Sequence, residues 1–374
     1  MAKILVAFGT RPEAIKMAPV IQELKKHPDL QPIVCITAQH REMLDQTLEL
    51  FGITPDEDLD LMTPGQDLSS LSARILTGMA PIFETHKPDA VLVQGDTTTT
   101  FCAALSAFYH RIPVGHIEAG LRTGDLTAPF PEEGNRVLTT RLASWHFTPT
   151  DSNRDALLKE GVNSNAVYVT GNTVIDALLW ETNRINSGEY DTDTTILLNR
   201  FERPFILVTG HRRESFGQGF NDICHAIKQI AGKHPDIDIV YPVHLNPNVQ
   251  EPVNRILKQA ENIHLIQPLG YESFVAMMNK SLFVLTDSGG VQEEAPSLGK
   301  PVLVMRDKTE RNEALTGGVR LVGTDPQKIV EEAEKLLTDS DHYEKMSTAL
   351  NPYGDGNAAK RIATILAEHF QHKQ

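Results

Sequence analysis

The sequence predicts an α/β protein made of two similarly built, Rossmann-like halves, and three observations carry that expectation. Short apolar runs alternate with longer helical patterns along most of the chain. Motifs near the start are echoed in the second half. The length of 374 residues exceeds what one hydrophobic core usually organises, so two domains are expected.

The alternation comes first. Apolar runs at 4–8, 33–37, 90–93, 114–117, 206–209, 239–242, 283–286 and 302–305 read as strands, with helical stretches such as 14–26 and 68–86 between them. Most runs are continuously apolar and do not alternate, the pattern of parallel strands covered on both faces. Strand, helix and strand in repetition define parallel sheets.

The echo comes second. Ile4-Leu5-Val6-Ala7-Phe8-Gly9-Thr10-Arg11-Pro12-Glu13 resembles Ile206-Leu207-Val208-Thr209-Gly210-His211-Arg212-Arg213-Glu214. Lys26-His27-Pro28-Asp29 resembles Lys233-His234-Pro235-Asp236, and Gly95-Asp96-Thr97 resembles Thr286-Asp287-Ser288. Duplication and the general likeness of βα units both account for this. Two such halves would turn their strand C-termini toward a shared, central cleft, where open α/β sheets bind ligands. The polar stretch 183–201, with its run Asp191-Thr192-Asp193-Thr194-Thr195, is expected to separate them, and a turn-rich stretch at 351–356 precedes a final helix over 358–369.

Composition narrows the function. Thirty-five Lys and Arg stand against 49 Asp and Glu, a formal charge of −14. That opposes non-specific binding to nucleic acid or an anionic membrane, but not a small anion held by a few local cations. Three scattered cysteines form neither a disulfide framework nor a CxxC pair, and no apolar run could span a bilayer, so a cytoplasmic protein is expected. No GxGxxG follows the first strand, no P-loop is present, and the 14 histidines lack metal-ligand spacing.

What remains is polar chemistry at strand ends. Gly9-Thr10-Arg11-Pro12-Glu13 opens a helix carrying Lys16, where a close backbone and two cations would suit an anion. Asp287-Ser288-Gly289-Gly290-Val291-Gln292-Glu293-Glu294 forms a glycine turn whose N–H groups would cradle a diphosphate, with Glu294 placed for a ribose diol. Asp96, Glu118 and Glu132 follow successive elements of the first half. Grouped carboxylates shift one another's pKa and suit proton transfer at carbon. Taken singly, Asp96 also fits a helix cap and Glu132 a first-turn acid. His211 takes, in the second half, the place of Arg11; Tyr241-Pro242-Val243-His244 ends another strand, and Thr309-Glu310-Arg311 adds a further cation.

Together, Phe8-Gly9-Thr10-Arg11-Pro12-Glu13-Ala14-Ile15-Lys16, Gly95-Asp96-Thr97-Thr98-Thr99-Thr100, Glu118-Ala119-Gly120-Leu121-Arg122-Thr123 and Asp287-Ser288-Gly289-Gly290-Val291-Gln292-Glu293-Glu294 resemble the non-hydrolysing UDP-N-acetylglucosamine 2-epimerase family. The resemblance extends through Asn351-Pro352-Tyr353-Gly354-Asp355-Gly356. It implies a glycosyltransferase-B-like architecture, with a first domain over 1–180 plus a crossing helix in 357–374, and a UDP-binding domain over 181–356. It implies reversible C2 epimerisation of UDP-N-acetylglucosamine to UDP-N-acetylmannosamine through eliminated UDP and 2-acetamidoglucal, without metal or redox cofactor. The product would supply cell-surface polysaccharide, and the enzyme would be a homodimer.

Matching positions place Arg11, Lys16, His211, Ser288, Gly289, Gly290, Glu294 and Arg311 around UDP, with the uracil near Leu269 and Phe274. Asp96 would be the C2 base, Glu118 would return the proton, Glu132 would support the site electrostatically, and His211 would stabilise the departing diphosphate. Many relatives are activated by a second nucleotide, a site to which Gln39, His40, Arg41 and Arg212 would correspond here. Three positions depart from the pattern: Gln94 stands where His is frequent, Ala128 for Ser, and Asn312 for Pro. A glycosyltransferase of the same architecture, a hydrolysing epimerase releasing N-acetylmannosamine and UDP, and a non-catalytic sugar-nucleotide sensor are the competing readings.

Overall fold

A computed structural model describes residues 1–38, 41–61, 63 and 65–371. The chain forms two compact units, Met1–Ala177 together with the segment from Tyr353 onward, and Leu178–Pro352. Among the described residues, the first unit holds seven parallel strands: β1 (Ala2–Phe8), β2 (Leu30–Ile36), β3 (Glu57–Asp58), β4 (Ala90–Gln94), β5 (Val114–Ile117), β6 (Trp145–Thr148) and β7 (Val167–Val169), in the order β3-β2-β1-β4-β5-β6-β7. The second holds six: β8 (Phe205–Thr209), β9 (Asp238–Pro242), β10 (Ile263–Ile266), β11 (Val284–Thr286), β12 (Val302–Val304) and β13 (Val319–Leu321), in the order β10-β9-β8-β11-β12-β13.

Both sheets are doubly wound. The strand order reverses beside β1 in the first unit and beside β8 in the second. Loops leaving the C-terminal ends of strands at such a reversal diverge and leave a crevice. The apolar runs follow from burial on both faces: Leu5 and Ala7 pack with Cys35, Ile75, Met79, Val91 and Val93 in one layer. Ile4, Val6 and Phe8, which alternate with them along β1, are equally buried. In the second unit Val208, Phe220, Ile227, Tyr241, Leu285 and Leu303 share one core.

The polar stretch at 191–195, expected as a break, instead starts a helix. Asp191 caps Thr192–Arg200 by accepting from the Thr194 N–H at 2.6 Å, and the Thr194 hydroxyl meets the Ser273 hydroxyl at 2.6 Å. Asp, Ser and Thr favour helix starts because their oxygens satisfy otherwise orphaned N–H groups, so a run of them marks an onset as readily as a linker. The last helix, Ala358–Gln371, belongs to the first unit, where the Asp176 carboxylate accepts from the Ala358 and Ala359 N–H groups at 3.2 and 2.8 Å. No described helix is long and apolar enough to cross a membrane.

Candidate active site

In the first unit the site grows from β1, β4 and β5, three adjacent strands whose following loops emerge side by side. The loop after β1 is fastened by Glu13. This buried carboxylate accepts from the Gly9 N–H at 3.1 Å and the Thr10 N–H at 2.8 Å, and its other oxygen accepts from the Thr97 hydroxyl at 2.8 Å. A Cβ on Gly9 would collide with the hydroxyls of Thr37 and Thr99. Packing inside the protein, not approach of a ligand, therefore dictates that glycine. Arg11 is half-buried and has no ion-pair partner among the described residues, and burial lowers its pKa.

Asp96 follows β4 across Gly95, whose φ of +71° suits a residue without Cβ. Arg136, from the helix Glu132–Leu142, donates to the Asp96 carboxylate and also to Glu133 Oε2 at 2.9 Å. Asn135 Nδ2 donates to the Asp96 carbonyl at 3.0 Å. Burial pushes the Asp96 carboxyl up, Arg136 draws it down, and nearby Glu118 pushes it up again. The net shift is upward.

Glu118 follows β5 in a left-handed backbone conformation, φ +63°, which costs a residue with a Cβ about 1–2 kcal/mol. Its carboxylate accepts from Lys16 Nζ at 2.7 Å to Oε1 and 2.6 Å to Oε2, from Asn172 Nδ2 at 3.2 Å, and from Gln94 Nε2. Lys16, expected around UDP, thus holds a carboxylate here. Two residues back, His116 is fully buried and its Nε2–H donates to the Gly95 carbonyl at 2.7 Å. Burial pushes that imidazole down to about 3, so it stays neutral, and its Nδ1 has no hydrogen-bond partner among the described residues.

The two acids opening the helix Glu132–Leu142 differ. Glu133 is buried, taking the Thr123 and Gly124 N–H groups at 3.0 and 3.1 Å as well as Arg136. The half-buried Glu132 carboxylate has no hydrogen bond or ion pair among the described residues. Glu133 is scaffold; Glu132 is available.

In the second unit the corresponding loops follow β8 and β11. The fully buried Asp287 accepts from the His211 and Arg212 N–H groups at 2.7 and 2.8 Å, locking one loop to the other. The His211 ring lies 3.7 Å from Asp287 Oδ1 and stacks on His244 with centroids 5.2 Å apart. Burial lowers the His211 pKa, Asp287 opposes the fall, and His244 and Arg212 add to it. Ser288, Gly289 and Gly290 open the helix Gly289–Glu294. A Cβ on Gly289 would lie 3.1 Å from Arg311 Cζ, and one on Gly290 would lie 3.3 Å from Glu294 Oε1, so both glycines face the polar groups expected at a phosphate and a ribose. Leu269 and Phe274, at the start of the helix Tyr271–Lys280, are half-buried.

Arg311 is not idle: it pairs with Glu293 at 2.8 Å and Glu310 at 2.6 Å. Of the proposed activator residues, Gln39, His40 and the side chain of Arg41 lie outside the described residues, and Arg212 Nη2 lies 3.6 Å from Glu310 Oε1. Sequence reasoning assigned no role to Arg136 or Asn172, whose partners lie far off in the chain. Only the spacing of Glu133 and Arg136, three apart on one helix, hinted at a contact.

A doubly wound pair of Rossmann-like units, with coupled carboxylates at one switch point and a glycine-lined, arginine-flanked turn at the other, defines the glycosyltransferase-B-like class of sugar-nucleotide proteins. The comparisons are more specific. The family model described as UDP-N-acetylglucosamine 2-epimerase matches residues 22–367. The UDP-N-acetylglucosamine 2-epimerase of Escherichia coli (strain K12) is 60% identical over 368 residues, covering 97% of this chain and 98% of that protein. The Neisseria meningitidis UDP-GlcNAc 2-epimerase crystal structure with bound UDP-GlcNAc is 51% identical, with a TM-score of 0.90 over 98% of this chain and 100% of that one. That of Methanocaldococcus jannaschii, in complex with UDP-GlcNAc and UDP, is 32% identical with a TM-score of 0.81 over 98% and 99%. The chain belongs to the UDP-N-acetylglucosamine 2-epimerase family, and it is an isomerase.

Proposed function

We propose that this isomerase interconverts UDP-N-acetylglucosamine and UDP-N-acetylmannosamine by elimination and re-addition of UDP. The carrying observation is the pair Asp96 and Glu118 at adjacent strand ends, coupled electrostatically and each held by its own cation, Arg136 or Lys16.

C2–H is not adjacent to a carbonyl, so its loss must accompany departure of the diphosphate. Asp96 takes the C2 proton as that C–H pair forms the C1=C2 bond, and the C1–O pair leaves with UDP. The 2-acetamidoglucal left behind is protonated at C2 from the other face by Glu118, which relays a proton from Lys16 Nζ across their ion pair, while UDP oxygen returns to C1. The upward shift of the Asp96 carboxyl gives a stronger base than an exposed aspartate. Glu132, without a hydrogen bond or ion pair among the described residues, adds negative charge beside the cationic C1 of the transition state. Within the second unit, His211, Arg311 and the N–H groups of Ser288, Gly289 and Gly290 stabilise the charge growing on the diphosphate; Glu294 takes the ribose, and Leu269 and Phe274 the uracil. The homodimer implied by the family is part of the same proposal, with sedimentation as its test.

The decisive experiment is incubation with UDP-N-acetylglucosamine in D₂O, followed by NMR. Epimerisation gives both UDP-sugars with deuterium at C2. Stoichiometric free UDP and N-acetylmannosamine, or no exchange at all, would refute it.

A further inference from the structure

Three guanidinium groups of the second unit converge on one carboxylate. Glu310 Oε1 lies 2.6 Å from Arg311 Nη1 and 3.6 Å from Arg212 Nη2, and its Oε2 lies 3.0 Å from Arg306 Nη1. One of these guanidinium groups reaches the glycine turn, and another arginine is tied beside it through its backbone N–H. The Arg311 guanidinium lies where a Gly289 Cβ would touch it at 3.1 Å, and the Arg212 N–H is held by Asp287, the residue before Ser288. Glu310 thus sits on the cations beside the turn where the nucleotide reading places the diphosphate.

We propose that Glu310 is an internal stand-in for the ligand's phosphate, neutralising Arg212 and Arg311 until the diphosphate displaces it, and thereby setting nucleotide affinity. The inference rests on that nucleotide reading. Like charges converging without an anion repel one another, and a carboxylate in their midst relieves this. That contact holds Glu310 down to about 2, even though burial alone would raise it. A diphosphate carries more charge and more acceptor oxygens than a carboxylate and can form bidentate contacts with both arginines. Because the ligand must first displace Glu310, its apparent affinity is reduced by the fraction of molecules whose arginines are free. Removal of Glu310 leaves Arg306 paired with Glu214 and Arg311 with Glu293 at 2.8 Å, and releases Arg212.

Calorimetric titration of UDP into the full chain at fixed ionic strength tests this. Glu310→Gln is expected to bind UDP about tenfold more tightly, and Glu310→Asp, which keeps the charge but withdraws the carboxylate, about threefold more tightly. Unchanged or weaker binding by Glu310→Gln overturns the proposal. Tighter binding by Glu310→Gln with none by Glu310→Asp overturns it too, because net charge alone would then account for the gain. Failure of the unaltered protein to bind UDP is a separate result, which removes the nucleotide reading and this inference with it.

Discussion

Lys16 and Glu118 form a two-point ion pair, Nζ lying 2.7 Å from one carboxylate oxygen and 2.6 Å from the other, with both side chains largely shielded from water. The lysine comes from the helix after β1 and the glutamate from the residue just after β5, so the pair ties two active-site loops across β4. A partner for a catalytic carboxylate and a ligand for a phosphate make different kinetic demands.

Lys16→Gln is therefore expected to lower kcat about 100-fold while changing the Kd of UDP by less than about threefold. Steady-state kinetics with UDP titration separates the two roles. A Kd that rises as far as kcat falls would return Lys16 to the phosphate.

Arg136 favours the ionised form of Asp96, so its removal raises the Asp96 pKa further. A base must be deprotonated to act, so in Arg136→Gln the acid limb of the kcat/KM profile moves to higher pH. The substitution also takes the counter-charge from buried Glu133, which keeps only its N–H donors, and should cost about 3 kcal/mol of stability. Rate profiles from pH 5 to 9, with urea melts of the same preparation, measure both.

His116 gives a stability prediction. Its pKa is about 6.5 when unfolded and about 3 when folded. Between those values the unfolded chain binds a proton that the folded one refuses. Stability linked to this residue is thus fully present above pH 6.5 and falls by about 1.4 kcal/mol per pH unit as pH drops toward 3. His116→Gln, which keeps a donor for the Gly95 carbonyl, should flatten the melting temperature between pH 6.5 and 4.5.

Gly9→Ala tests whether packing or ligand approach dictates that glycine. The added methyl meets Thr37 and Thr99, and overpacking of this kind costs about 1–3 kcal/mol. Denaturant midpoints should fall while UDP affinity in the folded fraction stays within about twofold. The reverse pattern would restore the ligand explanation.

Much of this was legible in the chain, for identifiable reasons. The strand expected at 114–117 is β5 to the residue, because Val114-Gly115-His116-Ile117 is buried throughout between turn signals. β6 and β7, Trp145-His146-Phe147-Thr148 and Val167-Tyr168-Val169, passed unread. Asp96 and Glu118 could be found because each follows an apolar run. Arg136 and Asn172 could not, since their contacts exist only once β4 and β5 are neighbours and the segment after β7 has folded back. Charge was legible only as composition; the capture of Lys16 by Glu118 and of Arg311 by Glu293 and Glu310 is a property of geometry.

The Asp176 carboxylate, by holding the first N–H groups of the helix Ala358–Gln371, makes the order of synthesis matter. The unit Leu178–Pro352 is one continuous stretch, inserted into another whose parts lie on either side of it. On the ribosome the inserted unit has its whole chain in hand first, while the unit that began earlier waits for its closing helix. The carboxylates after β4 and β5 thus belong to the unit whose chain is completed last.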